Sequence, residues 1–172
     1  MANVIKVPTV DAPTGPVANH GSSGLLRSGR ILYSCLLSQV SRLLNSAPPL
    51  PFSLTLSPSL RCNSHCQTCG VWRRSQEELS IGEWEAILRK MGRAPRWITI
   101  SGGEPFLYGE LGRLVAACVE HCRPDIINIP SNAILTEPIG HIVEGIVRMY
   151  PDLHLIINLS LDGIGAEHDR IR

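Results

Sequence analysis

The sequence lacks a strong excess of either charge, since 16 Lys and Arg side chains nearly balance 15 Asp and Glu side chains among 172 residues. Proteins that bind nucleic acid through its phosphates usually carry a basic patch, and the Arg73-Arg74 pair is too short to form one. The sequence also lacks an apolar run long enough to cross a bilayer. We therefore expect a chain that binds neither nucleic acid nor a membrane.

A secretory signal is missing as well, because the first thirty residues contain no continuous apolar segment after a basic start. The six cysteines are clustered, whereas the disulfide framework of a small secreted protein usually spreads them along the chain. These features predict a cytoplasmic protein whose clustered cysteines bind metal. With 44% hydrophobic residues, the chain is long enough for one domain with its own core.

Three of the six cysteines fall within eight residues, as Cys62, Cys66 and Cys69. Thiolates this close repel one another unless a cation lies among them, so the spacing favours zinc or an iron–sulfur cluster. The other cysteines are distant in sequence, and Cys35, inside a predicted helix, is expected to be a small buried side chain. Three thiolates leave one coordination position open, which is typical of a catalytic centre.

The rest of the chain alternates between strand and helix patterns. Residues 1–50 are predicted to contain a loosely attached leader (1–23) and an amphipathic helix (25–44), and residues 51–172 an α/β domain. A capping box of Ser80 and Glu83 predicts where the first helix of that domain begins. The domain's predicted strands are 52–56, 97–100, 126–129 and 155–161, and its predicted helices are 80–91, 110–121, 139–149 and 166–172.

This alternation predicts parallel strands that are joined by helical crossovers. Strands two to four are apolar enough to suggest burial on both faces of the sheet. Unusual polar or small residues follow every strand, and ligands bind at this carboxyl edge in parallel α/β architectures. The residues concerned are the three cysteines, Gly102-Gly103-Glu104, Ser131-Asn132, and Ser160 with Asp162.

The cysteine pattern after the first strand and the segment Ser101–Pro105 after the second together resemble the radical S-adenosylmethionine (SAM) superfamily. The resemblance covers residues 52–172, and the segment 160–172 is similar to the branch that often carries SPASM or twitch domains. It implies a partial TIM-like (βα) barrel with about four of the usual six βα units. By this resemblance the chain is expected to be a truncated core domain.

The resemblance implies that Cys62, Cys66 and Cys69 bind three irons of a 4Fe–4S cluster, while the fourth iron binds SAM. A low-potential electron donor of the ferredoxin or flavodoxin type would reduce the cluster. Cleavage of SAM would then give a 5′-deoxyadenosyl radical that takes hydrogen from an unidentified peptide or small-molecule substrate. The alternatives are a non-catalytic iron–sulfur or zinc-binding module, and an inactive fragment.

The resemblance also assigns Gly102, Gly103 and Glu104 to the SAM amino group. Glycines permit a close backbone approach, and the carboxylate can accept hydrogen bonds from an ammonium group. The alternative for these residues is a tight turn between strand and helix that binds no ligand.

Three polar residues, Ser131, Asn132 and Ser160, occupy positions where the superfamily holds the ribose and carboxylate of SAM. Their alternative role is to cap the following helices, which Ser and Asn commonly do after a strand. Asp162 is expected either to shape its turn or to face the substrate.

The sequence departs from the superfamily pattern at Thr68, where an aromatic residue often lies along the adenine. His65, between the cysteines, is expected to be a loop residue near the cluster and not a ligand. Cys118, His121 and Cys122 lie on one face of a predicted helix, so a second metal site is geometrically possible. A buried core face is the favoured interpretation of that trio.

Overall fold

Four β-strands and five α-helices alternate in the part of the chain that the computed structural model describes, residues 24–47 and 49–172. The strands are β1 (Ser53–Ser59), β2 (Trp97–Gly102), β3 (Ile126–Ser131) and β4 (His154–Leu159). The α-helices are α1 (Gly24–Leu43), α2 (Ile81–Met91), α3 (Leu111–Ala117), α4 (Thr136–Met149) and α5 (Ala166–Ile171). The leader predicted over residues 1–23 lies outside the described residues.

The strands form one open sheet in the order β1-β2-β3-β4, and every neighbouring pair is parallel. The register places Leu54 beside Ile98, Ile98 beside Ile127, and Ile127 beside Leu155. The predicted α/β class and parallel pairing are confirmed. The four strands and their alternating helices form part of a TIM-like barrel, and the sheet is not closed.

The hydrophobic core lies on one face of the sheet, where the helices pack. Ile98 and Ile127 are fully buried there together with Leu88, Leu114 and Ile146. Intervening strand residues are only half-buried, so burial alternates along β2 and β3. In the part of the chain that the structure describes, helices cover only one face of this sheet, so the predicted burial on both faces is wrong.

The N-terminal helix α1 ends before the Pro48-Pro49 segment, as predicted. Its apolar side chains are largely exposed, with exposed fractions of 62% for Leu32 and 85% for Leu43. Cys35 is exposed too, so the expectation of a buried cysteine in this helix is wrong. Among the described residues, no helix is both long and apolar enough to cross a membrane.

The capping box that begins α2 is confirmed: Ser80 Oγ accepts from the Glu83 N–H, and the Ser80 N–H donates to the Glu83 carboxylate at 2.8 Å. The helix predicted over 110–121 is instead divided, since α3 ends at Ala117 and a π-helical turn follows over Cys118–Cys122. This wide turn keeps both of its cysteines fully buried in the core.

Candidate functional site

The chain beyond β1 continues beside the end of β2 and delivers the first cysteine to the carboxyl edge of the sheet. The Gly103 N–H donates to the Ser59 carbonyl at 2.9 Å, and the Glu104 N–H donates to the Arg61 carbonyl at 2.8 Å. Cys62 follows Arg61 directly. Two backbone hydrogen bonds therefore fix the start of the cysteine loop, residues 62–69, against the Gly-Gly-Glu segment.

Close packing against this extension requires both glycines. A Cβ atom added to Gly102 would lie 2.2 Å from the Ser59 carbonyl oxygen, and one added to Gly103 would lie 2.1 Å from the Arg61 carbonyl oxygen. Gly102 also has a φ of +119°, which L side chains rarely adopt. Packing alone thus accounts for both glycines, and their contact with SAM stays a prediction.

The Glu104 side chain is 2% exposed and joins the ends of β2 and β3. Its Oε1 accepts from the Ser131 hydroxyl at 3.0 Å and from the Phe106 N–H at 3.3 Å, and its Oε2 accepts from the Asn132 N–H at 2.8 Å. A carboxylate has about four acceptor positions, so these donors leave one position on Oε2. Glu104 therefore braces the carboxyl edge, and its contact with SAM stays a prediction.

Asn132 connects this carboxyl edge to the cysteine loop. Its amide Nδ2 donates to the Asn63 Oδ1 at 2.8 Å, while its own Oδ1 accepts from the Ile134 N–H at 3.1 Å. On the far side, the Ser160 N–H donates to the Ser131 carbonyl at 2.9 Å. The structure therefore brings the predicted residues of β2, β3 and β4 into one connected group.

The three loop cysteines are free thiols, and Cys62 and Cys66 are half-buried whereas Cys69 is exposed. Within the described ranges, no group of three or more His, Cys, Asp or Glu side chains is placed to hold a single metal ion. A closed zinc site of one ion needs its ligands around one atom. The cysteines of an iron–sulfur cluster bind different irons, so the donor set fits a cluster better than one ion.

Burial raises the pKa of the Cys62 thiol above its usual value, and the negative charges of Cys66, Glu104 and Cys69 raise it further. A hydrogen bond from the backbone of Ser64 acts in the opposite sense. A positively charged iron centre at this position would offset both the burial and the repulsion. The electrostatics of Cys62 therefore suit a metal-bound thiolate.

The end of α5 holds the cysteine loop from the opposite side. The His65 N–H donates to the Arg172 backbone oxygen at 3.1 Å, and the Gln67 N–H donates to the Ile171 carbonyl at 2.8 Å. The Gln67 side-chain amide donates in addition to the Arg170 carbonyl at 2.8 Å. These bonds attach the loop to the last carbonyls of a helix more than one hundred residues away.

Two side chains of this region contact the Cys66 sulfur directly. The Ser64 oxygen lies 3.2 Å from Cys66 Sγ, and the Arg172 Nη1 lies 3.7 Å from the same atom. The Arg172 Nε also pairs with the Asp162 carboxylate at 2.5 Å. This ion pair joins the segment after β4 to the end of α5.

Sequence reasoning did not identify four of the residues that hold the loop, which are Asn63, Ser64, Gln67 and Arg172. Their partners are distant in sequence, and polar side chains on a loop carry no periodic signal. The only available clue was the resemblance of the segment that ends at Arg172.

The remaining predictions concern side chains near the loop and in the core. His65 is exposed and packs edge-on against the Trp72 ring, with 4.7 Å between ring centroids, and the Arg73 guanidinium lies 4.5 Å from the same ring. The placement of His65 agrees with the prediction that it is a loop residue. The core interpretation of Cys118 and Cys122 is confirmed, since both are fully buried.

Known proteins resemble the chain in sequence and in fold. Residues 56–172 match the profile of the Radical SAM superfamily. The GTP 3′,8-cyclase of Staphylococcus carnosus (strain TM300) is 32% identical over 124 residues, which cover 66% of this chain and 35% of the cyclase.

Crystal structures of SuiB from Streptococcus suis share the fold. The form bound to S-adenosylmethionine has a TM-score of 0.55 and 23% identity, over 81% of this chain and 32% of SuiB. The form bound to the precursor peptide SuiA has a TM-score of 0.54 and 21% identity, over 90% of this chain and 33% of SuiB. The chain spans about a third of the length of these relatives. Because the family profile covers more than half of the chain, the chain belongs to the radical SAM superfamily.

Proposed function

We propose that the chain binds a 4Fe–4S cluster through Cys62, Cys66 and Cys69, and SAM at the adjoining carboxyl edge, as part of a radical SAM enzyme. One observation carries the proposal: the cysteine loop and the predicted SAM residues form one hydrogen-bonded unit. Asn63 of the loop binds Asn132, whose backbone binds Glu104. A cluster on the loop and a cofactor on the carboxyl edge would therefore be neighbours.

The chemistry depends on one electron from a reduced donor. Held by Cys62, Cys66 and Cys69, a reduced cluster would supply the electron that cleaves one carbon–sulfur bond of SAM to give methionine and a 5′-deoxyadenosyl radical. That radical would take a hydrogen atom from the substrate and end as 5′-deoxyadenosine. A donor of the ferredoxin or flavodoxin type, in the reducing cytoplasm, would supply the electron.

The chain's own residues have separate tasks in this proposal. The three thiolates hold the cluster, and the remaining acceptor position on Glu104 Oε2 receives an N–H of the SAM ammonium group. Ser131, Asn132 and Ser160 line the adjoining edge for the ribose and carboxylate.

The open face of the sheet offers a place for the substrate. It carries half-exposed polar side chains, among them Thr99 and Asn128, and Asn158 Nδ2 donates to Asn128 Oδ1 at 2.7 Å. A polar substrate with its own donors and acceptors suits such a surface. SuiB binds a precursor peptide and the cyclase is named for GTP, so a peptide and a nucleotide are the two substrate classes to test first.

The decisive experiment is anaerobic reconstitution with iron and sulfide, followed by reduction with dithionite and addition of SAM. We expect bound iron and sulfide, a reduced-cluster EPR signal that changes with SAM, and 5′-deoxyadenosine by mass spectrometry. Cys66→Ala should abolish all three. Cys35→Ala, which removes an exposed thiol on α1, is the matched control and should retain them.

Other outcomes would contradict the proposal. A cluster that forms but ignores SAM would indicate a non-catalytic iron–sulfur module. Binding of zinc alone would indicate a structural zinc site. A chain that binds neither zinc nor a cluster would indicate an inactive fragment. Loss of the cluster in Cys118→Ala with an intact fold would assign a metal role to the buried π-helical turn.

A further inference from the structure

Within the described part of the chain, a guanidinium group contacts one of the three cysteine sulfurs, that of Cys66, and neither of the other two. The Arg172 Nη1 is 3.7 Å from Cys66 Sγ, within the range of a hydrogen bond to sulfur. This contact joins residues 106 positions apart. It therefore exists only because the α5 end packs on the cysteine loop.

The Arg172 side chain is held in place from two directions. Its Nε pairs with the Asp162 carboxylate at 2.5 Å, and its backbone oxygen accepts from the Ser64 hydroxyl and the His65 N–H, both at 3.1 Å. The side chain is only 21% exposed, so water screens its charge less than that of a surface arginine. A fixed, poorly screened cation is thus directed at the Cys66 sulfur.

Fixed charges and N–H donors beside cluster sulfurs are among the features that set a cluster's reduction potential. Reduction adds one negative charge, and a cation near a sulfur ligand stabilises that added charge more than it stabilises the oxidised state. Asp162 opposes this effect from behind the guanidinium, and Glu104 opposes it from the side of Cys62. Of these three charged groups, only the Arg172 guanidinium has a described hydrogen-bond contact with Cys66 Sγ, so we take the sign of its effect to dominate at that sulfur.

We propose that Arg172 is a positioning residue that raises the reduction potential of the cluster through the Cys66 sulfur. The inference rests on the proposed function, because it requires a cluster on the three cysteines. It goes further by assigning to the end of α5 a control over how readily the cluster accepts its electron.

The test is a redox titration of the reconstituted 172-residue chain, with the EPR signal of the reduced cluster followed against solution potential. Arg172→Gln should shift the midpoint to a more negative potential. Arg172→Lys keeps the positive charge, but its single ammonium group cannot reproduce the planar guanidinium's contacts with both Asp162 and Cys66. It should therefore shift the midpoint in the same direction by a smaller amount. Arg170→Gln is the matched control, because it removes an equal charge from an exposed position on the same helix and should leave the midpoint unchanged.

Equal midpoints for Arg172→Gln and Arg170→Gln would overturn the inference, whether both shift or neither does. If Arg172→Gln does not retain iron, Arg172→Lys is compared with Arg170→Lys, and equal midpoints again overturn it. A wild-type cluster that responds to SAM while Arg172→Gln leaves its midpoint unmoved defeats this inference alone. A wild-type chain that forms no reducible cluster defeats the proposed function and this inference together.

Discussion

The Glu104 carboxylate oxygen Oε2 and the Asn132 backbone nitrogen lie 2.8 Å apart, although their residues follow two different strands. With two further donors on Oε1, the carboxylate has exchanged water for protein N–H and O–H groups. A buried carboxylate that lost these partners would be strongly destabilising. The carboxyl edge is therefore braced before any ligand binds.

Glu104→Gln tests this brace. The substitution keeps the shape of the side chain but turns one acceptor oxygen into an NH₂ group, which then faces a donor. We expect the free energy of unfolding to fall by about 1–3 kcal/mol, measured by urea denaturation at neutral pH. Glu110→Gln, at an exposed ion pair with Arg113, is the control and should change it by less than about 0.5 kcal/mol. An unchanged stability in Glu104→Gln would contradict the role of brace.

Gly103→Ala tests the close approach between the Gly-Gly-Glu segment and the chain before Cys62. The new Cβ would lie 2.1 Å from the Arg61 carbonyl oxygen, so backbone must move. We expect a loss of about 2 kcal/mol or more in unfolding free energy, and a lower iron content after reconstitution. Gly109→Ala is the matched control, since a Cβ there meets nothing within 4 Å. Full stability and full iron loading in Gly103→Ala would show that the two segments need not approach so closely.

The lowered pKa of Glu78 predicts that part of the protein's stability depends on pH. The Ser59 hydroxyl donates to its carboxylate at 2.6 Å and lowers its pKa, burial acts in the opposite sense, and Arg61 lowers the pKa further. A lowered folded-state pKa stabilises the protein above the unfolded value of 4.5, and this contribution is lost as the pH falls through the lower, folded-state pKa. The wild type should therefore exceed Glu78→Gln in stability at neutral pH by roughly 1 kcal/mol, because the site is partly exposed.

The measurement is urea denaturation of both proteins from pH 7 to pH 3. The stability difference should be constant above about pH 5 and shrink below the unfolded-state pKa. Glu77→Gln, at an exposed neighbouring glutamate, provides the control. A difference that persists unchanged at pH 3 would rule out the carboxylate as its source.

A double-mutant cycle tests the link between Asn63 and Asn132. Each single change to Ala removes one partner of the 2.8 Å hydrogen bond, and we expect a coupling free energy of about 1 kcal/mol in urea denaturation. The same cycle at Asn128 and Asn158 serves as a comparison, because Asn158 is exposed and water can replace its partner. A coupling at Asn63 and Asn132 no larger than at the comparison pair would contradict a structural link between loop and sheet.

Local patterns predicted the elements of this fold well. The apolar segments before Gly102 and Ser131 predicted two strands of the sheet, and the capping box at Ser80 predicted the start of α2. Both signals act over a few residues, so the sequence contains all that is needed to recognise them. These two strands, β2 and β3, each run two residues further than predicted, because pairing with neighbouring strands extends them beyond their apolar cores. The fourth strand instead ends at Leu159, two residues before its predicted end.

Predictions about burial succeeded less well. Cys35 was expected to be buried because it lies in an amphipathic helix, yet α1 leaves it exposed. The sheet was expected to be covered on both faces, yet Asn128 is half-exposed on the open face. Burial depends on which elements pack against each other, and a strand's composition does not specify its neighbours.

The sequence by itself determined that three thiols lie within eight residues and that a Gly-Gly-Glu segment follows the next strand. Only the tertiary structure decided that Arg172 contacts Cys66, that the two glycines are required by Ser59 and Arg61, and that Glu104 braces β2 and β3. The physical reason is one of range. Spacing along a chain fixes which donor atoms are close together locally, whereas long-range contacts arise only when packing and strand register bring distant segments into hydrogen-bonding distance.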